Sequence, residues 1–313
     1  MLSAMSAEQQ PTAARVTAGV VLTLISAVGY SFSLVLARVS YDHGINALTI
    51  MVIRFMLVLT LMLLWNRARS QSVRVRPGKL WLCYGAGVTY FIGISAYLGS
   101  VAFIPVSLAV LIFYIYPLLT AVLVSLLHGS RPPAGQVLLL ISAFVGLGLA
   151  LGVRFQVMDP VGLLLAVTAA TGVAVNMIVS GVALRGLKLS VFSLHMAVAA
   201  LICALVAVVA TDAFSLPDAD PRGWQILGLS LLAFLVAFVA LYAGLPLIGA
   251  VRLSMVMNLE PIATILIALL LLDESMTAQQ VLGGALVLAA VLIAQFTGQR
   301  RGISQQQGWK EPR

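Results

Sequence analysis

Two fully charged residues, Arg54 and Glu260, fall in the middle of long apolar runs. A charged side chain at the centre of a membrane-spanning helix costs about 2.5–3.5 kcal/mol on insertion scales, so such residues face a cavity or a partner. The chemistry open to them is paired work: Glu260 takes up a proton or a substrate amine, and Arg54 holds a carboxylate. A structural salt bridge or a packing anchor is the alternative. Protonation separates the two. A buried carboxyl without a cation can carry a proton, whereas one held by Arg54 stays ionised and carries none. Pro117 and Pro261 lie inside two further apolar stretches. Each removes one helix hydrogen bond and frees a carbonyl four residues earlier, at Phe113 and Met257. In lipid those carbonyls must be satisfied, and lining a wet cavity is one way. The prolines therefore read as hinges, with a kink satisfied by neighbouring helices as the plainer account.

Polar residues cluster around these positions in the sequence. Tyr30, Ser33, Tyr90, Tyr114, Tyr116, Asn176 and Asn258 all sit within apolar runs. A cavity of tyrosines and amides suits small amphipathic solutes such as amino acids or related metabolites, and suits bulky hydrophobic cations less. Tyr84 and Tyr97 lie near the ends of their runs, where interface anchoring is an equal account. His195 lies early in its run and either relays protons or bonds to a neighbouring helix. Gly148 and Gly152 form a small-xxx-small pair, read as close helix packing, with a homodimer contact as the alternative.

The elements that must position these residues follow from composition. The 313 residues are 61% apolar and only 9% charged, and mean hydropathy is +1.08. Soluble domains carry roughly 25% charged residues, so a soluble enzyme, a nucleic-acid-binding domain and a disordered chain are excluded. A spanning helix needs about 20 apolar residues, and ten runs qualify: Val16–Val39, Ala47–Trp65, Leu80–Ala102, Val106–Leu127, Gln136–Val153, Val161–Leu184, Ser190–Ala210, Trp224–Ile248, Leu253–Leu272 and Ala278–Thr297. The first run exceeds the roughly 7–15 residues of a signal peptide core and reads as a retained span. With residues 1–15 and 299–313 as cytoplasmic tails, 14 of the 18 basic residues fall on the cytoplasmic side and Arg38, Arg154 and Arg222 fall outside. That bias fits the positive-inside rule. Cys83 and Cys203 sit inside apolar runs and match no metal or disulfide framework.

The chain repeats itself at an offset of 143–145 residues. Gly19 and Gly29 match Gly162 and Gly172, Tyr97 and Gly99 match Tyr242 and Gly244, Pro117 matches Pro261, and Gln136 matches Gln280. Two repeats of five spans, 16–155 and 156–298, must insert in opposite orientations, an arrangement that places a transporter's site between the halves near the midplane.

The stretch from Tyr97 through Pro105, Leu108 and Ala109 to Tyr116-Pro117 resembles a signature of the EamA family within the drug/metabolite transporter superfamily. Asn258-Leu-Glu-Pro261, with Leu272-Asp-Glu-Ser-Met-Thr277 and Gln280-Val-Leu-Gly-Gly284, resembles the same signature in the second half. Arg54 sits where the family commonly has an arginine. Many members carry an acidic residue after the fourth span, where this chain has His128-Gly129-Ser130. The resemblance implies an all-α polytopic protein of ten transmembrane helices in two inverted five-helix repeats. It further implies alternating access to a central cavity and a bacterial-type inner membrane.

The reading that follows is a secondary transporter exporting small metabolites, amino acids or their derivatives, with proton coupling as an option. Uptake by the same fold is the alternative. No cofactor is implied, since no Walker motif is present. An intramembrane enzyme would need a catalytic constellation, and the span interiors hold one histidine and no aspartate. A channel would favour a continuous polar lining.

Overall fold

In hydrocarbon every backbone N–H and C=O must be paired within its own segment, so apolar runs of this length fold as helices. A computed structural model of the chain describes residues 13–41, 43–100, 102–104, 106–127, 129, 133–152, 159–216, 221–272, 277–279, 281–290 and 293. Among these the elements are α1 (Ala13–Tyr41), α2 (Ala47–Ala68), α3 (Pro77–Ser100), α4 (Val106–Phe113), α5 (Tyr116–Leu127), α6 (Ala134–Leu151), α7 (Pro160–Leu184), α8 (Leu189–Thr211), α9 (Pro221–Met257) and α10 (Glu260–Leu272). A shorter apolar helix, α11, covers Val281–Ala290. Eight stretches are long and apolar enough to cross a membrane, and the chain is a multi-pass membrane protein. Most of both expected tails, the end of the tenth run, His128 and Arg154 lie outside the described residues.

The structure corrects the reading of two runs as continuous helices. The fourth breaks between Phe113 and Tyr116, and the ninth breaks between Met257 and Glu260. At each break a tight turn forms: Ile115 N–H donates to Ile112 O at 3.1 Å, and Leu259 N–H donates to Val256 O at 3.0 Å. Pro117 and Pro261 are the second residues of α5 and α10. There the missing N–H has no intrahelical partner to lose, so the prolines start new helices instead of bending old ones. A third break lies within α9 at Gly249, whose φ of 79° and ψ of 162° end the first limb. Glycine alone reaches that conformation without steric cost.

Small residues at matched positions bring the helices together. Gly19 lies against Leu247 and Ile248, and Gly162 against Phe103 and Ile104. Gly29 lies against Ala233 and Ala237, and Gly172 against Thr89 and Gly93. Thus α1 runs along α9 as α7 runs along α3. The register is 143 residues between α1 and α7 and 144 between α3 and α9. The sequence match of Tyr97 with Tyr242 is therefore one residue out of the contact register.

Polar ties repeat in the same way. Asn46, before α2, donates through Nδ2 to Ser215 Oγ beyond the end of α8, at 2.9 Å. Ser190, opening α8, contacts Gln71 Oε1 beyond the end of α2 at 3.3 Å. These ties make α2 and α8 antiparallel neighbours. One contact departs from the pattern. α3 is pressed onto α8, with Gly87 against Met196 and Ala199, whereas the equivalent α9 and α2 meet through the Ile50, Ile53, Leu227 and Leu231 cluster.

The glycine contacts predict a paired result. A side chain at Gly172 would meet Gly93 Cα at 2.9 Å, while Gly181 on the same helix has nothing within 4 Å. Overpacking costs about 1–3 kcal/mol, so Gly172→Leu should lower the thermal midpoint of the detergent-purified protein by several degrees. Gly181→Leu should leave it unchanged or raise it.

Candidate functional site

A cavity of about 210 Å³ lies between α1, α2, α3, α4 and the start of α10. Arg54 comes from α2. Its Nη2 donates to Ser33 Oγ of α1 at 2.7 Å and approaches Ser230 Oγ of α9 at 3.5 Å. The guanidinium also stands 4.7 Å from the centroid of the Phe234 ring, a cation–π contact that strengthens when desolvated. The two serines clamp α1 to α9: Ser33 Oγ donates to Ser230 O at 2.8 Å, and Ser230 Oγ to Ser33 O at 2.9 Å. The cation is thus seated on three helices at once.

Glu260 opens α10, where a negative charge is favoured by the helix dipole. Its carbonyl oxygen accepts from Ser31 Oγ of α1 at 2.7 Å and from Thr264 Oγ1 at 2.9 Å. Its carboxyl faces the Tyr114 hydroxyl. The break before α10 therefore places the carboxylate, and Ser31 fixes that break against α1. The Tyr30 hydroxyl is buried in the cavity wall and faces the Tyr90 hydroxyl. Its ring meets Phe234 edge-on, with centroids 5.9 Å apart, and Tyr90 meets Phe55 edge-on at 5.5 Å.

Of the residues singled out from the sequence, Tyr30, Ser33, Arg54, Tyr90, Tyr97, Tyr114, Glu260 and Pro261 line this one cavity. Tyr116, Pro117, Asn176, Asn258 and His195 lie elsewhere. Tyr116 is buried against Phe113 and Tyr114. Asn176 Nδ2 donates to Ala86 O at 2.7 Å, and Asn176 Oδ1 accepts from the Tyr242 hydroxyl at 3.0 Å. Asn258 is buried in the turn before α10. His195 Nε2 lies 2.9 Å from Val73 O and its ring is edge-on to Tyr84, so it ties the α2–α3 connection to α8. Gly148 packs toward Leu111 within the chain, and Gly152 ends α6 with φ of 57°. Sequence reasoning missed Ser31, Ser230, Phe234 and Thr264. Thr264 was legible as the i+4 neighbour of Glu260. The Ser33–Ser230 clamp spans 197 residues and left no local signal.

The two polar nodes occupy equivalent places. Ser33 bonding Ser230 O matches Asn176 bonding Ala86 O in the contact register. A third helix joins each node, through Arg54 in one and Tyr242 in the other.

A bundle of apolar helices around a mostly apolar cavity that carries two charged side chains suits a solute carrier. A sequence model of the EamA-like transporter family matches residues 17–152 and, a second time, residues 160–296. The chain belongs to the EamA-like transporter family. The family falls within the drug/metabolite transporter superfamily, and both of its copies in this chain include one of the broken spans described above. A protein described as an uncharacterised transporter of Synechocystis sp. is 23% identical over 89% of this chain and 93% of its own length. A solved crystal structure, titled only as that of a protein, superposes with a TM-score of 0.75 at 18% identity, covering 91% of this chain and 98% of the other. That likeness speaks for the fold. This EamA-like transporter therefore carries Arg54 and Glu260 in one cavity of a known architecture.

The Asn176 node predicts non-additive stability effects. A lost buried hydrogen bond that leaves its partner unsatisfied costs about 1–3 kcal/mol. Asn176→Ala and Tyr242→Phe should each lower the thermal midpoint. The double variant should resemble Asn176→Ala alone, because the two changes remove one shared bond.

Proposed function

We propose that this EamA-like transporter is a secondary carrier that exports small amphipathic metabolites, amino acids or their derivatives among them, from the cytoplasm across a bacterial-type inner membrane. The observation that carries the proposal is the joint placement of Arg54 and Glu260 in one aromatic-walled cavity. A guanidinium presents donors in a fork that suits a carboxylate. A carboxylate facing a phenol suits an amine or a proton. A solute bearing both groups would meet both charges without leaving either unpaired in a low-dielectric site.

Ten spans in two inverted repeats fit the observed packing. The antiparallel α2 and α8, and the contacts recurring at a near-constant register, support two halves of opposite direction. The broken fourth and ninth spans fit the discontinuous helices that line such midplane sites. The cavity residues lie toward the end bearing the α1–α2, α3–α4 and α6–α7 connections. With both termini cytoplasmic, as the basic residues suggest, that end is the outside. The tight α3–α8 contact would then be the closed inner gate, and the looser α2–α9 contact the outer one.

Untargeted mass spectrometry of the medium tests the proposal in cells expressing the wild type, Glu260→Gln or an empty vector. One small class of solutes should accumulate outside only with the wild type. Equal accumulation with Glu260→Gln would return Glu260 to a structural role, and no difference between wild type and vector would contradict export.

A further inference from the structure

Positive charge gathers at the end of the bundle away from the cavity. The connection from α2 to α3 carries Arg67, Arg69, Arg74, Arg76 and Lys79, and the connection from α7 to α8 adds Arg185 and Lys188. The two connections touch. Lys79 Nζ donates to Arg185 O, and Ser190, two residues beyond Lys188, contacts Gln71 Oε1 at 3.3 Å. No carboxylate answers these cations among the described residues. Asp159 precedes α7 and Asp212 follows α8, each at the far end of its helix, and Glu260 stands in the cavity wall. Both α3 and α8 begin at the basic end, and neither has an acid in its first turn, where the helix dipole favours one.

The cations are also held in place. Gln71 N–H donates to Asn66 O at 2.8 Å, and Val73 O lies 2.9 Å from His195 Nε2 of α8. Exposure then alternates as in an extended chain: Gln71, Val73 and Val75 are half-buried, whereas Ser72, Arg74 and Arg76 are exposed. Arg74 and Arg76 therefore project to the same side. The rule that gathers basic residues in one set of loops asks only for their charge. It does not ask for a loop pinned to α8 with two guanidiniums side by side. Apolar surface adjoins the charge. Leu63, Leu64 and Trp65 at the end of α2 are exposed, as is Trp81 near the start of α3, and the Arg69 guanidinium stands 4.9 Å from the centroid of the Trp65 ring. Tryptophans of this kind mark the level of lipid headgroups. A free anion would leave the apolar wall unused. A phospholipid covers the wall with its acyl chains and brings a phosphate to the cations.

We propose that the α2–α3 and α7–α8 connections form a built site for the headgroup of an anionic phospholipid, with Arg74 and Arg76 taking the phosphate. Each guanidinium offers a phosphate two parallel donors, and the remaining cations add attraction. The bound lipid joins a connection of the first half to one of the second. It is a partner of the fold, separate from any solute in the cavity.

The test follows the thermal midpoint of the full chain, purified in a neutral detergent and titrated with phosphatidylglycerol or with phosphatidylcholine of the same acyl chains. Phosphatidylglycerol should raise the midpoint in a saturable way that weakens with salt, and phosphatidylcholine should not. Glycerol phosphate, which lacks acyl chains, should have no effect at the same concentration. Arg74→Gln with Arg76→Gln should weaken the apparent affinity about 30-fold, the loss expected for two cations beside an anionic headgroup layer. Both side chains are exposed, so folding is not at stake. Lys310→Gln with Arg313→Gln removes the same charge from the C-terminal tail and should leave the affinity unchanged. His195→Ala keeps every arginine and lysine but releases Val73, and it should weaken the affinity; Gln71→Ala loosens the same loop if that variant does not fold. Equal responses to the two lipids, or a wild-type response from the Arg74 and Arg76 double variant, would overturn the proposal. An equal loss from the tail variant, or full affinity in both loop variants, would reduce the surface to diffuse charge and overturn a built site. Stabilisation by glycerol phosphate alone would overturn the assignment to lipid.

Discussion

An arginine in the middle of a hydrocarbon-embedded bundle must be held by other protein groups. Arg54 is held by two serine hydroxyls from two different helices and by the face of Phe234. Those serines are also the clamp between α1 and α9. The charge, the clamp and the cavity wall are thus one structure. Moving α2 relative to α1 and α9 would strip the cation of its partners, which ties any change of cavity shape to the environment of Arg54. Glu260 is coupled to the same frame through Ser31, which reaches from α1 to the first residue of α10. α1 is therefore the element against which both charges are positioned.

The second half reuses this plan with different chemistry. Where one node has Ser33, Ser230 and Arg54, the other has Asn176, the Ala86 carbonyl and Tyr242. Glycines set the helix spacing in both halves at matched positions. In lipid there is little hydrophobic gain from bringing helices together, so close approach at small residues and interhelical hydrogen bonds must supply the association. That explains why the repeat is visible mainly at glycines and prolines. The side chains between them are free to diverge, and they have done so toward an arginine at one node and neutral polar groups at the other.

The membrane class, most helix positions and the repeat were legible in the sequence because each depends on composition, run length or small residues. Arg54, Ser33, Tyr90, Tyr114, Glu260 and Pro261 were legible as cavity residues because polar groups within apolar runs are costly and few. The helix breaks were not. Pro117 and Pro261 signalled a disturbance, but a proline at the second position of a new helix and one inside an old helix look alike in a single sequence. Gly249 gave no distinct signal among the 26 glycines. The division of the remaining polar residues between the cavity and the packed interior depends on contacts between halves about 144 residues apart, which no local pattern encodes.

Opening of the two halves in turn, as proposed, is tested by a pair of distances without knowledge of the solute. Spin labels at His43 and Gln225 span the ends of α2 and α9 nearer the cavity, and labels at Leu187 and Trp81 span the equivalent ends of α8 and α3 at the opposite end of the bundle. Pulsed electron paramagnetic resonance in lipid nanodiscs should give two distances for each pair, with one pair lengthening as the other shortens when Gly87→Leu is introduced. A single distance for each pair, unmoved by Gly87→Leu in folded protein, would contradict the account.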